Sequence, residues 1–173
     1  MESHMATKPV EHAVKIRPAT PGDMDILGGF GALLVALHHE LDAKRFIEAA
    51  KSTPMRYGQF LKSQLAQPDV IVIVAEEDGA LLGYAYAASE GFDYMSLRGP
   101  AGVIHDLFVD PARRREGLGR MLLEAAMAGL KSLGAERFVL STAYRNETAR
   151  SLFAAMGFRP TMVEMTREAD QDD

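Results

Sequence analysis

Apolar and polar positions follow two different periods along this chain, and each change of period marks a predicted element. Residues 70–75 form a continuous apolar, β-branched run, which is typical of a strand buried on both faces. A turn signal at residues 76–79 separates this run from residues 81–88, so the two strands are predicted to form a hairpin. The pattern predicts strands at residues 14–17, 70–75, 81–88, 103–109, 136–142 and 160–166.

Helical periodicity accounts for most of the chain between these strands. A first helix is expected from Thr20, as its cap, through Pro21 to His39. Glycines at 28, 29 and 31 weaken its first half by ~1 kcal/mol each relative to alanine. Further helices are predicted over residues 43–67 with a break at 52–54, over 117–133 before Gly134, and over 146–156 before Gly157. The order β α α β β β α β α β indicates an α/β fold with a mixed sheet.

Composition narrows the functional class. The 173 residues are predicted to form one domain over residues 6–168, after an expression scar at 1–5 and before an acidic tail at 169–173. The net charge of −5 argues against a general nucleic-acid binder. The absence of cysteine excludes an acyl-cysteine route and fits a reducing cytoplasm, the expected location. No apolar run approaches the ~20 residues of a membrane span, so no membrane partner is expected.

The segment IHDLFVDPARRREGLGRMLL, residues 104–123, joins an apolar strand, an arginine-rich turn and a periodic helix without interruption. Such a junction directs unpaired N–H groups and the positive end of a helix dipole at one point, where a phosphate binds well. Taken alone, the arginine cluster is also consistent with a solvated turn. Two common phosphate loops do not fit. The nucleotide P-loop lacks its Lys-Ser/Thr, and the dinucleotide fingerprint lacks its third glycine because Leu122 stands there.

The remaining pattern, Arg114-x-x-Gly117-x-Gly119, resembles the Arg/Gln-x-x-Gly-x-Gly/Ala signature of the GNAT superfamily of acyl-CoA-dependent N-acetyltransferases. Residues 104–111 resemble the fourth strand of that family, and residues 146–158 resemble its Asn-x-x-Ala…Leu-Tyr-x-x-x-Gly-Phe segment. Residues 16–20, with Asp23, resemble a common family opening. The resemblance implies a mixed, mostly antiparallel sheet flanked by helices and splayed between the fourth and fifth strands.

The same resemblance implies acetyl-CoA as cosubstrate, with no metal. Backbone N–H groups of the loop would bind the pyrophosphate, and the side chains of Arg113, Arg114, Arg115 and Arg120 would add positive charge. The fourth strand would offer backbone groups to the pantetheine amides. Asn146 is also explained as a helix N-cap. The residues assigned to the cofactor by resemblance are Leu107, Phe108, Val109, Arg114, Arg115, Glu116, Gly117, Leu118, Gly119, Arg120, Asn146 and Phe153.

Direct acyl transfer requires a base for the amine and stabilisation of the departing thiolate. Phe153 occupies the position of the tyrosine that usually serves as the general acid in this family. Either the thiolate leaves without an acid, or Tyr144 replaces the missing tyrosine. Tyr144 is equally explained as a loop aromatic that covers the cofactor. His105 is the candidate base, because a histidine titrates near neutrality, or else a packed strand residue. Asp106 anchors either the substrate amine or the fold. Alternation along a strand separates His105 from Asp106 unless the strand bulges.

Two further groups of residues have open explanations. Tyr84 and Tyr86 share a strand face, where they line the acceptor cleft or simply pack. His38 and His39 point about 100° apart on a helix, which makes a poor chelate, so they are interpreted as surface histidines.

The sequence therefore predicts an N-acetyltransferase that moves an acetyl group from acetyl-CoA directly to a primary amine of a small molecule or protein. The alternatives are a different acyl-CoA donor, a catalytically impaired CoA-binding sensor or scaffold, and a nucleotide-binding protein stabilised by ATP or NAD. The resemblance allows a homodimer, and the sequence leaves the oligomeric state open.

Overall fold

A five-stranded mixed sheet forms the centre of the computed structural model, which describes residues 13–169. The strands are β1 (Lys15–Pro18), β2 (Val70–Glu77), β3 (Ala80–Glu90), β4 (Ala101–Val109) and β5 (Phe138–Leu140). The α-helices are α1 (Met24–Leu41), α2 (Thr53–Gln64), α3 (Leu118–Ser132) and α4 (Glu147–Ala155). Neighbouring strands pair in chain order, antiparallel up to β4 and parallel between β4 and β5. The predicted mixed, mostly antiparallel sheet is confirmed.

The two faces of the sheet are covered by different helices. Leu27 of α1 and Leu61 of α2 pack with Tyr84 on one face. Leu122 of α3 lies on the other face, which α4 extends through Phe153. Within residues 13–169, no helix combines the length and the apolar character that a membrane crossing requires.

The predicted β2–β3 hairpin is confirmed, and its turn has a specific backbone conformation. Glu77 pairs with Ala80, so Asp78 and Gly79 are the two turn residues. Their φ angles are +51° and +82°. Positive φ at both central positions matches the right-handed twist of the flanking strands, and the Asp-Gly sequence is among those that adopt it most readily.

Glycines bring α1 and α2 unusually close together. A Cβ added at Gly28 would lie 2.1 Å from Pro54 O, and one added at Gly58 would lie 2.6 Å from Met24 O. A Cβ at Gly31 would lie 2.2 Å from the ring of Tyr57. These residues cost helix propensity, as the sequence indicated, but they permit backbone-to-backbone contact between the two helices. This contact carries Tyr57 toward the sheet.

The predicted splay lies between β4 and β5. Residues 102–104 of β4 pair with residues 138–140, whereas β4 continues to Val109. Residues 106–109 therefore have a strand partner, β3, on one side only. The end of this half lies near the start of α3 and α4, since a Cβ added at Gly119 would lie 3.8 Å from Val109 Cγ2 and 3.2 Å from Leu152 Cδ2.

Three sequence predictions were wrong in detail. Residues 160–166 are not a strand: Met162, Val163 and Met165 are 68%, 74% and 88% exposed, because β5 is too short to offer a long partner edge. Residues 43–52 are not helical, since the Asp42 carboxylate accepts hydrogen bonds from the backbone N–H groups of residues 44 and 45 and turns the chain. The strand predicted over residues 136–142 is reduced to the three residues of β5.

Candidate active site

Backbone N–H groups without partners cluster where β4 leads into α3. Arg115 and Gly117 turn the chain there with φ angles of +67° and +81°. Gly117 is the N-cap of α3 and supplies no side-chain cap, and Met121 N makes the first helical hydrogen bond, to Gly117 O. The N–H groups of residues 118–120 consequently have no hydrogen-bond partner among the described residues. They form the positive end of the α3 dipole, as predicted for an anion site.

The two glycines of this loop serve different purposes. A Cβ at Gly117 would meet no described atom within 4 Å, so open space lies beside the free N–H groups. A Cβ at Gly119 would lie 3.2 Å from Leu152 Cδ2, so a small residue is needed where α4 passes α3. Free donors, a positive dipole end and open space are the features that a pyrophosphate requires. The residues present therefore fit the diphosphate of CoA.

The arginines near this loop are not equally available to an anion. Arg113 binds Glu77 and Glu116, each at 2.8 Å, and so fastens the loop to β2. These two carboxylates compete with a phosphate for the Arg113 guanidinium, so the structure adds no support to the expectation that Arg113 adds charge to the phosphate. Arg120 makes a longer contact of 3.4 Å with Glu124. No ion pair joins Arg114 or Arg115 to another described residue.

The second half of β4 combines packing side chains with a free backbone edge. Phe108 is buried on the α1–α2 face, whereas Leu107 and Val109 pack toward α3. All three pair with β3 and have no strand partner on the β5 side. The two interpretations of these residues, core strand and backbone docking edge, are therefore compatible.

β4 contains the bulge on which a joint role of His105 and Asp106 depends. Tyr86 of β3 pairs with Asp106, and the next residue, Ala87, pairs with Ile104. His105 is therefore the extra residue. The bulge reverses the alternation of faces: Ile104 packs on the α3 face, whereas Asp106 lies on the α1–α2 face. As a result, adjacent residues His105 and Asp106 line one cavity.

That cavity lies between α1, the segment after α1, and β4, and its volume is about 230 Å³. Most of its wall is apolar, and its polar lining consists of two histidines and one carboxylate. The lining residues are Leu34, Val35, His38, Phe46, Ile47, His105 and Asp106.

Asp106 is a buried carboxylate held by two tyrosines. It is 8% exposed, and its Oδ2 accepts hydrogen bonds from Tyr57 Oη at 2.6 Å and Tyr84 Oη at 2.9 Å. Burial raises the pKa of Asp106 above its ordinary value, and the two hydroxyl donors oppose that change. Burial and the nearby carboxylate raise the pKa values of both tyrosines, which therefore remain donors.

His105 is oriented by a chain of polar contacts outside the cavity. Its Nε2 lies 2.7 Å from Glu90 Oε1, and Glu90 Oε2 accepts a hydrogen bond from Arg98 at 2.8 Å. The imidazole also stacks on Tyr86, with ring centroids 5.0 Å apart. Because a carboxylate only accepts, Nε2 carries the proton, and Nδ1 is the acceptor nitrogen of the neutral ring.

The two histidines of α1 do not act as a pair. His38 donates from Nδ1 to Leu34 O at 2.8 Å, and His39 donates from Nδ1 to Phe46 O at 2.9 Å. Both are half-buried, which corrects their interpretation as surface histidines, and His38 lines the cavity. Within residues 13–169, no three His, Asp or Glu side chains are grouped so as to hold a metal ion.

The α4 residues have mainly structural partners. Asn146 Oδ1 accepts from Ala149 N at 3.1 Å, so Asn146 is the N-cap of α4. Phe153 is 9% exposed and packs edge-on against Phe158. Tyr144 is 80% exposed, lies under the guanidinium of Arg150, and is not part of the cavity wall.

Sequence reasoning missed the partners that hold the two β4 residues. Tyr57 lies 49 residues before Asp106, and nothing local in the sequence marks it as part of a site. Glu90 lies two residues beyond the strand predicted at 81–88, and Arg98 lies five residues before the strand predicted at 103–109, so neither falls within a predicted element. The weak signal available was the group of glycines in α1, which indicates a close helix crossing. Tyr84 and Tyr86 do not line the cavity themselves but contact the residues that do. Tyr84 donates a hydrogen bond to Asp106, and Tyr86 stacks on His105.

Comparison with known proteins agrees with this architecture. The model of the Acetyltransferase (GNAT) family matches residues 35–158. The chain is 33% identical over 99 residues to the uncharacterized N-acetyltransferase YhfO of Bacillus subtilis, covering 57% of this chain and 65% of that protein. It is 28% identical over 101 residues to an aminoglycoside N(6′)-acetyltransferase type 1 of Klebsiella aerogenes, covering 58% and 66%. The chain thus spans just under two thirds of these relatives.

The fold itself matches over most of the chain. A predicted acetyltransferase of Clostridium acetobutylicum, solved with acetyl-CoA, superposes with a TM-score of 0.70 at 18% identity, covering 89% of this chain and 96% of that one. The family match includes the loop at Gly117, the β4 bulge and α4. On these grounds the chain belongs to the GNAT family of acetyltransferases.

Proposed function

We propose that this protein transfers an acetyl group from acetyl-CoA directly to a primary amine of a small molecule or protein. The observation that carries the proposal is the N-terminus of α3, where three free N–H groups and the open space beside Gly117 adjoin the unpaired half of β4. A diphosphate and an extended amide-bearing arm need these two features, side by side.

The chain supplies a holder for each part of the cofactor. Backbone N–H groups from Arg114 through Arg120 bind the diphosphate, and the side chains of Arg114 and Arg115 have no described carboxylate partner to compete with it. The edge formed by Leu107, Phe108 and Val109 binds the pantetheine amides. Asn146 stabilises the start of α4 beside this arm, and Phe153 supports it from the core. Bound acetyl-CoA supplies the acetyl group as a thioester.

His105 and Asp106 act on the acceptor amine. His105 accepts the amine proton at Nδ1, directly or through water, because Glu90 holds the Nε2 proton. Asp106 orients the amine from the cavity wall. In the overall reaction, one N–C bond forms, the C–S bond breaks, and the proton lost by nitrogen is balanced by the proton that the CoA thiolate takes up.

The proton for the thiolate has no tyrosine donor at position 153. Tyr144, next to the start of α4, is our first candidate for that donor, and its exposed hydroxyl has no described hydrogen bond. The alternative is departure of the thiolate without an acid, stabilised by the N–H groups near Val109.

Phe153 also supports a second candidate function, a CoA-binding sensor or scaffold without catalysis. The side chain is buried and carries no hydroxyl. Release of free thiol from acetyl-CoA, measured across a panel of primary amines, separates the two functions. Turnover that falls in His105→Ala supports the transferase, whereas tight CoA binding without turnover of any amine supports the sensor. Tyr144→Phe tests the acid in the same assay.

A further inference from the structure

One oxygen of the buried Asp106 carboxylate has no hydrogen-bond partner. Both tyrosine hydroxyls bind Oδ2, and no described residue donates to Oδ1. Among the described residues, every side-chain polar atom that is sealed from solvent has a hydrogen-bond partner. Oδ1 is therefore not sealed, and since Asp106 lines the cavity, Oδ1 opens into it. A carboxylate that is 8% exposed and has one oxygen open to the cavity is a favourable partner for a cationic group bound there.

The cavity offers this cation a single anionic partner. Asp106 is its only acidic lining residue among the described ones. Glu90 lies nearby but already binds Arg98 and His105. A ligand with several ammonium groups would therefore leave all but one of them without a carboxylate in this cavity.

The cavity also lacks a partner for an anionic group on the acceptor. Its lining includes no lysine or arginine. His38 uses its Nδ1 proton on Leu34 O, so the remaining nitrogen of the neutral ring is an acceptor. His105 likewise uses its Nε2 proton on Glu90. Neither neutral ring has a proton left to donate to a carboxylate.

The remaining cavity wall determines which kind of molecular body, attached to the ammonium group, the site can bind. Leu34, Val35, Phe46 and Ile47 form an apolar surface opposite β4. The volume of about 230 Å³ is below the roughly 300–1,000 Å³ of sites for drug-sized ligands. A compact hydrocarbon or aromatic body matches the size and the apolar character of this wall.

We propose that the acceptor is a compact, hydrophobic primary monoamine that lacks a carboxylate, with its ammonium group on Asp106 Oδ1 and its body against the Leu34–Val35–Phe46–Ile47 wall. This inference rests on the proposed acetyl transfer, because it assigns this cavity to the acceptor.

The first test compares acceptors that differ by one feature, using thiol release from acetyl-CoA. The expected order places kcat/KM for 2-phenylethylamine at least tenfold above that for phenylalanine, which adds a carboxylate, and above that for spermidine, which adds charges. Equal or better turnover of spermidine or phenylalanine overturns the inference and leaves acetyl transfer intact. Acetyl-CoA binding without turnover of any amine contradicts the proposed function instead.

The second test is binding, which does not depend on turnover. Calorimetry of 2-phenylethylamine with the CoA-loaded protein should show at least tenfold weaker binding in Asp106→Asn, with CoA affinity within twofold of the wild type. Glu124→Gln, on the exposed face of α3, is the matched control and should bind the amine normally. Unchanged amine binding in Asp106→Asn overturns the inference.

A third variant covers the case in which Asp106→Asn does not fold. Val35→Phe adds bulk to the apolar wall without touching the carboxylate. It should weaken binding of 2-phenylethylamine at least fivefold more than binding of propylamine, which is smaller. Equal effects on both amines would show that the body of the acceptor does not lie on this wall.

Discussion

Gly31 of α1 lies directly against the ring of Tyr57, which binds Asp106: a Cβ at Gly31 would come within 2.2 Å of Tyr57 Cδ1. The absence of a side chain at position 31 is therefore what allows Tyr57 to reach the sheet. Gly29, two residues earlier in the same helix, has no described atom within 4 Å of its own added Cβ, so the helix offers a matched pair of sites.

Gly31→Ala is expected to destabilise the protein by about 1–3 kcal/mol, because the ring of Tyr57 must move. Gly29→Ala is expected to stabilise it by about 0.5–1 kcal/mol through helix propensity alone. Urea unfolding of both variants measures the difference. Equal effects of the two substitutions would contradict the close contact with Tyr57.

Glu90 is expected to act on catalysis through His105, which it orients at 2.7 Å. Glu90→Ala should lower kcat tenfold or more, since a misplaced base is costly. Glu90→Gln should recover most of that loss, because its amide oxygen accepts the same Nε2 proton. The KM for acetyl-CoA should change in neither variant. If the Gln variant is as slow as the Ala variant, hydrogen-bond orientation by Glu90 is not the cause.

Asp106 is expected to reduce stability at neutral pH while serving the acceptor site. Burial raises the pKa of its carboxyl, so the folded state disfavours the ionised form, and its stability contribution decreases as pH rises above the ordinary range of an aspartate. Asp106→Asn should therefore be as stable as the wild type or more stable at pH 7, with no advantage at pH 3. Thermal unfolding at both pH values tests this. A clear loss of stability at pH 7 would show that the carboxylate is structural.

Asp23 is expected to show the opposite pH dependence. Hydrogen bonds from Arg17, at 2.8 and 3.0 Å, lower the pKa of Asp23 from 3.8 to about 2. A lowered pKa gives stability that is present above pH 4 and lost as pH falls toward 2, about 2 kcal/mol in total. Asp23→Asn should cost that amount at pH 7 and little at pH 2. Asp25→Asn, exposed in the first turn of α1, should change stability by less than about 0.5 kcal/mol at either pH.

Local sequence signals predicted the local structure well. The Asp-Gly hairpin, the Asn146 cap and the glycine-rich start of α3 each depend on neighbouring residues, and the structure confirms them. The splay between β4 and β5 followed from the resemblance to a family and is also confirmed.

The acceptor side of the site depends on contacts that are distant in the chain. Tyr57 meets Asp106 only because two helices cross at glycines, and the sequence alone shows those glycines as a loss of helix propensity. The bulge at His105 arises from pairing with β3, which periodicity within β4 does not reveal. The strand predicted at residues 160–166 is absent for a related reason. Apolar residues near 162 form a strand only where a long sheet edge is available for pairing, and β5 has only three residues.

The central claim is that the N-terminus of α3 binds the diphosphate of CoA, and calorimetry of CoA binding to Gly117→Asp and Gly134→Asp tests it directly. Both glycines have positive φ, +81° and +90°, and an added Cβ meets no described atom at either, so the backbone strain is matched. Only Gly117 lies beside the free N–H groups. We predict that Gly117→Asp loses CoA binding at least a hundredfold and that Gly134→Asp binds CoA as the wild type does. Normal binding of CoA by a folded Gly117→Asp variant would contradict the claim.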